Sequence, residues 1–387
     1  MRADRPISIF MPSVHGGGAE RAMLVFSGEL VKRGLRVELV LANLEGALQD
    51  LIPKGVCVIN LGSSRMLKAI AGLAAYFQSA HPVAIFSTIT HANIAAIYAA
   101  RYAHVEAPLV VRQSNAPISE SKDSVGRFLT SRLIPLAYER ASAVIAVSEG
   151  VRSELITLNR RLARKIQVLP TPVLTEQTKQ QGQEPAPHRW FADRSVPVIL
   201  SAGRLKVHKG MLELIRAFKR VRSRHAARLL IIGDGPERER LEAEVRRLGL
   251  QSDVELPGFF PNPFAFMRQA SVFALASRYE GLPNVLIQAM SFGTPIVSTD
   301  CPSGPREILQ DGTWGRLVTV GAEDELVTAL EESLYLPKQW AAQENAWKRY
   351  GAAAAASEYL AVAGLIDSSD TSETAGSQAG LRRVAGQ

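Results

Sequence analysis

The chain has 387 residues, 47% hydrophobic and 21% charged, proportions that exclude a disordered or disulfide-stapled protein. It is too long for one ordinary core and fits two domains of about 150–200 residues each. Lys and Arg outnumber Asp and Glu by 45 to 37, a net charge of +8 that suits nucleotide phosphates, an anionic lipid surface or nucleic acid, or is simply a solvated basic surface. Cys57 and Cys301 stand far apart and outside any CxxC or Cys/His pattern, so neither a disulfide framework nor a zinc site is suggested and a reducing cytoplasm fits best.

In chain order, 7–11 reads as a strand; this short apolar run, interrupted by Pro12, is too brief for a signal peptide or a membrane span. A helical pattern at 19–32 and a strand at 36–41 complete a strand-helix-strand unit. Near-continuous apolar runs at 83–87, 108–112 and 142–147 continue the alternation, as strands buried in a parallel sheet do. The pattern fails between 171 and 195, where 175–187 (TEQTKQQGQEPAP) is polar and turn-forming like a linker. A second alternation has strands at 197–202, 229–232, 271–276, 295–298 and 316–320. The domains are accordingly placed at 1–174 and 196–335, joined by a linker at 175–195. Helical patterns continue from 322 through an Ala-rich stretch at 352–356, and 366–387 is expected to be a disordered tail of Ser, Thr, Gly and Ala. No stretch approaches about eighteen uninterrupted apolar residues, so the expected location is the cytoplasm, with contact at the inner face of the membrane left open.

In open α/β sheets ligands bind beyond the carboxyl ends of the strands, and four loops there stand out. PSVHGGGAE at 12–20 sets Gly16, Gly17 and Gly18 where a helix begins, which suits close backbone approach to a phosphate or sugar, or a plain tight turn; His15 reads as structural or merely exposed. It is not GxGxxG, and the chain holds no GxxxxGK[ST]. SAGRLKVHKG at 201–210 clusters Arg204, Lys206 and Lys209 between Gly203 and Gly210: Arg204 can fork onto phosphate oxygens and Lys209 adds a compact charge, countering the charge on a departing diphosphate. SRYEGLPN at 277–284 brings Glu280 ahead of a helix running to about Phe292; Gln288, little more than a turn in, points back toward the same pocket, and the Asn284 and Val285 amides can accept a phosphate. TDCPSGPRE at 299–307 can shape a sugar pocket, although capping or dipole compensation accounts equally for Asp300 and Glu307. The absence of a DxD pair, HExxH and GxSxG points to metal-free chemistry, with Arg204 and Lys209 in the metal's electrostatic role and no cofactor required.

With these loops in hand, the chain resembles retaining glycosyltransferases of family 4 up to about residue 365. The carriers are GGGAER at 16–21, VIAVSEGV at 144–151, SAGRLKVHKG at 201–210, GDGP at 233–236, SRYEGLPNVLIQAM at 277–290 and SGPREI at 303–308. The resemblance implies the GT-B fold, two Rossmann-like doubly wound parallel-sheet α/β domains facing across a cleft. It further implies that Arg204 and Lys209 bind the donor diphosphate, Glu280 the donor sugar and residue 288 the ribose. The Gly16–Gly18 loop is then expected to face the sugar from the opposite domain, and the base to lie near Gly258 and Phe259. The last helices, 336–365, are expected to cross back to the first domain.

Two positions depart from the family pattern. Gln288 stands where a second glutamate is usual, so its contact to a ribose hydroxyl lacks charge assistance. Arg112, followed by Gln-Ser-Asn115, stands where many relatives carry a His; Arg112 and Asn115 become candidate acceptor or sugar contacts, as does Glu307, while His91 serves instead or only caps or packs its helix. No carboxylate is placed as a nucleophile, so same-face displacement is expected, the leaving diphosphate oxygen helping to deprotonate the acceptor.

The likeness, especially at GGGAER and SGPRE, is to bacterial enzymes that move a hexose or N-acetylhexosamine from a nucleotide-diphosphate sugar, UDP above all, to a saccharide or lipid-linked saccharide of the cell surface. Helical patterns at 64–80 and 122–140 mix basic and apolar residues, which suits either an anionic membrane or packing on their own sheet. Rival readings are a nucleotide-sugar epimerase of the same fold and a catalytically silent sugar-nucleotide binding protein. Nucleic-acid binding is disfavoured because basic residues are dispersed and aromatics reach only 6%.

Overall fold

The structure, a computed structural model, describes residues 5–117, 132–192, 195–338 and 347–367. It divides into two compact units, Met1–Val173 with Tyr350–Gln387, and Leu174–Arg349.

In the first unit, β1 (Ile7–Met11), β2 (Val37–Leu41), β3 (Cys57–Asn60), β4 (Ala84–Thr88), β5 (Leu109–Gln113), β6 (Ala143–Ala146) and β7 (Ile166–Val168) form one sheet. Its order is β3-β2-β1-β4-β5-β6-β7, and every pairing is parallel. Four of the five-residue strands are buried throughout, as strands covered on both faces must be. Helices α1 (Gly18–Lys32), α2 (Met66–Ala80), α3 (Thr90–Tyr102) and α4 (Glu149–Leu158) accompany it. The first ten residues of the basic-apolar pattern at 122–140 lie outside the described residues, as does the expected tail from 368 onward.

The second unit begins with α5 (Glu176–Gln183) and then alternates β8 (Val198–Ala202), α6 (Met211–Arg222), β9 (Arg228–Ile232), α7 (Arg238–Arg247), β10 (Val254–Gly258), α8 (Phe264–Gln269), β11 (Val272–Leu275), α9 (Asn284–Ser291), β12 (Ile296–Thr299), α10 (Pro305–Ile308), β13 (Arg316–Val318) and α11 (Glu323–Ser333). The order is β10-β9-β8-β11-β12-β13, all parallel. Helix α6 shows how the pattern becomes packing: Met211, Leu214, Ile215, Phe218 and Val221 recur at helical spacing and are buried together on the sheet. Each sheet reverses direction once, between β1 and β4 and between β8 and β11, and loops leaving such a reversal diverge to open a crevice at the carboxyl edge.

Helix α12 (Ala352–Val362) belongs to the first unit. Tyr359 stacks among Phe26 and Phe86, with centroids 5.2 and 6.5 Å away, and Ala356, Leu360 and Ala363 join the same core.

Some expectations are corrected. The segment read as a linker carries α5, whose N-terminus is closed by a capping box between Thr175 and Thr178; its polarity is that of a helix with a narrow buried side. Strands β3, β7 and β10 escaped the reading: β3 is a short, half-exposed run, β7 has only three residues, and β10 is broken by Glu255 and Pro257.

The turn from β8 into α6 depends on Gly210. It adopts φ +65°, and a Cβ there would lie 1.9 Å from the Ala276 carbonyl oxygen at the end of β11. Gly249 adopts φ +67° with nothing within 4 Å of a Cβ. Gly249→Ala should therefore cost only the left-handed strain, about 1–2 kcal/mol, and Gly210→Ala clearly more, because backbone cannot yield as a side chain does. Urea unfolding of both variants measures this; equal losses would show that the Ala276 contact does not constrain the turn.

Candidate functional site

The loops leaving β8 and β11 flank the reversal of the second sheet, and there the candidate charged groups meet. Lys209 closes a short 3-10 turn, Val207–Lys209, and Gly210 then starts α6. Its Nζ lies 2.6 Å from Glu280 Oε1, the two side chains being 20% and 8% exposed. Ser277 Oγ donates to the same oxygen at 2.6 Å. Oε1 is thus held by two donors, whereas Oε2 has no donor among the described residues. The side chain of Arg204, half-buried on the same loop, makes neither a hydrogen bond nor an ion pair among the described residues. Gln288, in the second turn of α9, is only 5% exposed, yet its amide has no hydrogen-bond partner among the described residues. A cation with an unengaged side chain, a half-engaged carboxylate and an amide without a protein partner are what a polar ligand would satisfy.

The loops are built to hold these groups still. Gly203 N bonds to Ile232 O and Leu205 N to Asp234 O, so the loop after β8 is laced to the loop after β9. A Cβ on Gly233 would sit 1.9 Å from Gly203 O, leaving room for glycine alone. Behind the Glu280 loop, Thr299 Oγ1 donates to Ser277 O at 2.5 Å and Ser303 Oγ to Gly281 O at 2.9 Å. The 299–307 segment therefore braces the Glu280 loop. Asp300 is tied to Arg306, and Glu307 faces Arg349 at 3.9 Å. Cys301 is pushed up to about 12 by burial and by the nearby Glu280 charge.

His208, Tyr279 and Ser277 were given no role from sequence. The His208 and Tyr279 rings stack 4.5 Å apart at 17°. Burial, followed by the charges of Lys209, Lys206 and Arg204, lowers His208 to about 4 against the opposing pull of Glu280. Burial first, and the surrounding cations second, thus keep this imidazole neutral. The identity of 208 as His gave no signal, because its effect comes from the loop opposite.

The remaining candidates fall elsewhere. Gly258 ends β10 at φ +104° and Phe259 is 39% exposed beside it. Pro283 precedes Asn284 and Val285, whose backbone begins α9. In the first unit Gly16 adopts φ +110°, Gly17 caps α1 and Gly18 is its first residue; a Cβ on Gly17 would meet the Glu20 carboxylate at 2.2 Å. His91 is exposed in the first turn of α3. It follows Ile89, held at φ +76° although β-branched. Asn93 fixes that turn by accepting from Ser87 Oγ and donating to Arg112 O and Tyr138 OH. Asn115 accepts through its carbonyl from Gln113. Arg112 is corrected as an acceptor or sugar contact: it is 3% exposed, and its guanidinium donates to Tyr359 OH, Thr88 Oγ1 and Thr171 Oγ1. These bonds engage all three of its nitrogens in the interior.

Two doubly wound units, one bearing a cationic loop and a half-engaged carboxylate at its sheet reversal, define an α/β protein of two parallel-sheet domains. Residues 196–335 match the model of glycosyl transferases group 1, and 16–177 that of Glycosyltransferase Family 4. The chain belongs to these glycosyltransferases. It is 31% identical over 238 residues to the N-acetylgalactosamine-N,N'-diacetylbacillosaminyl-diphospho-undecaprenol 4-alpha-N-acetylgalactosaminyltransferase of Campylobacter jejuni, covering 61% of this chain and 63% of that protein. It is 33% identical over 189 residues to the lipopolysaccharide 1,6-galactosyltransferase of Salmonella typhimurium, covering 47% and 50%. These matches span from half to under two thirds of the curated relatives' length. The crystal structure of Anabaena HepE in complex with UDP and glucose superposes with a TM-score of 0.70 at 22% identity, over 96% of this chain and 99% of the other. The fold is GT-B.

Because the folded His208 value lies below its ordinary 6.5, the unfolded chain takes up a proton first as pH falls. The stability tied to neutral His208 is complete above pH 6.5 and is lost between 6.5 and about 4. His208→Phe should flatten the fall of Tm across that window; an unchanged slope would count against the burial of a neutral imidazole.

Proposed function

We propose that the chain moves a hexose or N-acetylhexosamine from a UDP-sugar to a saccharide or lipid-linked saccharide in cell-surface glycan assembly, with retention at the anomeric carbon and without a metal ion. The observation that carries this reading is the Lys209–Glu280 pair beside an unengaged Arg204 at the sheet reversal. In it, Arg204 and Lys209 take the two phosphates, and the Asn284 and Val285 amides help at the start of α9. The free Glu280 Oε2 accepts a sugar hydroxyl while Oε1 stays anchored. Gln288 accepts from the ribose, Gly258 and Phe259 border the base, and the Gly16–Gly18 backbone approaches the sugar.

Transfer then proceeds on one face of the sugar. The bond from the anomeric carbon to the diphosphate oxygen breaks, the acceptor oxygen bonds to that carbon from the same side, and the acceptor proton passes to the departing oxygen. Arg204 and Lys209 stabilise the charge that grows there. His91, exposed on the first unit beside the strained Ile89, is the acceptor-side candidate in place of Arg112.

The Campylobacter and Salmonella relatives, a diphospho-undecaprenol N-acetylgalactosaminyltransferase and a lipopolysaccharide galactosyltransferase by name, support an acceptor carried on lipid or lipopolysaccharide. Among the described residues no helix is long and apolar enough to cross a membrane. Contact with the inner face of the membrane belongs to the same proposal: α2 presents Leu67, 84% exposed, beside exposed Lys68, and Tyr102 is 73% exposed on α3.

Nucleotide release from a panel of UDP- and GDP-sugars, with and without glycolipid acceptor, tests the reading. Acceptor-dependent release supports it, an isomerised sugar without release indicates an epimerase, and tight binding without turnover indicates a silent protein. Lys209→Ala should lower kcat by about 100-fold or more; full turnover by the folded variant would sink the proposal. Gln288→Glu restores a charge-assisted hydrogen bond and should tighten UDP binding by about 3- to 10-fold, read by titration calorimetry. Weaker binding would show that 288 does not face the ribose.

A further inference from the structure

Four ties join the loop after β8 to the loop after β11. Gly210 abuts Ala276 O, Arg278 N donates to His208 O at 2.7 Å, Arg278 pairs with Glu213, and the His208 and Tyr279 rings stack. The Arg278–Glu213 pair joins two flexible, solvent-accessible side chains and holds rotation weakly, which leaves the ring stack. A glycine contact and one backbone bond fix how far apart the loops lie, but a three-residue 3-10 turn can still swivel about them. Two rings lying 17° from parallel resist that swivel. Their places in the chain make this consequential: His208 immediately precedes Lys209 and Tyr279 immediately precedes Glu280. Both rings are only partly buried, so they do not serve a hydrophobic core.

We infer that the His208–Tyr279 stack is a positioning clamp that sets the Lys209 ammonium against Glu280 Oε1 before any donor arrives. Neutrality of the imidazole serves this role, because a cationic ring beside Lys209, Lys206 and Arg204 would push the turn outward. Without the stack, the long Lys209 side chain samples solvent, and holding it over a phosphate costs rotamer freedom that the clamp has already removed. The consequence for catalysis rests on the proposed donor site; the clamp itself rests on geometry alone.

The test therefore has a readout that needs no substrate. The full chain is treated with an N-hydroxysuccinimide ester, and acylation of Lys209 is measured by peptide mass spectrometry relative to exposed Lys219. His208→Ala and Tyr279→Ala should each raise that ratio by about 3- to 10-fold, the range set by loss of an aromatic pair. The double variant should add little to either, and His208→Phe and Tyr279→Phe should keep the wild-type ratio. If an alanine variant does not fold, His208→Gln, which is polar and ringless, replaces it with the same expectation. Unchanged Lys209 acylation in the folded ringless variants, or Phe variants that behave like them, overturns the clamp. UDP titration of the same samples should show weaker binding by a similar factor in the ringless variants and none of this loss in the Phe variants. A wild-type chain that binds no UDP overturns the donor-site reading, while the acylation ratios still decide the clamp.

Discussion

The contact of Gly210 with the Ala276 carbonyl is where the second unit becomes a site. Strands β8 and β11 are neighbours, yet the chain leaves them toward opposite sides of the sheet, and the loops would drift apart without a tie. A glycine whose absent Cβ would come within 1.9 Å of that carbonyl lets the β8 loop lie directly on the end of β11. From that closeness follow the 2.7 Å bond from Arg278 N to His208 O, the ring stack and the Lys209–Glu280 pair. The lacing to the β9 loop through Gly203 and Gly233 extends the same rigidity across three strands. Charged groups that must act together are thus placed by backbone rather than by their own flexible side chains.

Stability does not explain why an ion pair occupies this position. A pair with side chains 20% and 8% exposed recovers little beyond its desolvation cost, and well-packed apolar residues commonly serve as well. The arrangement is also incomplete as a structural motif: one carboxylate oxygen takes two donors and the other none, with Arg204 unengaged alongside. A salt bridge selected for stability would use both oxygens and pair every cation. The depressed His208, which is lowered first by burial and then by Lys209, Lys206 and Arg204, is in keeping with that surplus of cations. Incoming negative charge would relieve this frustration, which is the electrostatic preorganisation that group transfer from a diphosphate needs.

Much of this was legible in the sequence because parallel sheets advertise themselves. Runs such as 7–11 and 198–202 are buried at every position and apolar at all but one, Ser8 and Ser201, since both faces are covered, and glycines and charges crowd the loops that follow. Strands β7 and β10 were silent because Gln167, Glu255 and Pro257 break the run, β3 because it is short and half-exposed, and α5 read as a linker because only its capping box and a narrow buried side mark it as a helix. In the site, Arg204, Lys209 and Glu280 were visible as charges at strand ends. The roles of Ser277, His208 and Tyr279 were not, because each depends on a partner 3 to 71 residues away and has no periodic signature.

Arg112 shows how one position can be legible in chemistry and misread in use. A cation at the carboxyl end of β5 invites a ligand, but its fork meets Thr88, Thr171 and Tyr359 first. Those partners are informative: Thr171 lies just before Val173, where the chain leaves the first unit, and Tyr359 lies in the helix that follows its return at Tyr350. Val173 N bonds to Tyr350 O, so the departing and returning strands of chain are already joined. Arg112 fastens both to the end of β5 from within the first unit. A smaller His at this position would leave one or more of these hydroxyls without its donor, whereas the planar guanidinium reaches all three at once. The departure from the family pattern at 112 is therefore a structural fastening.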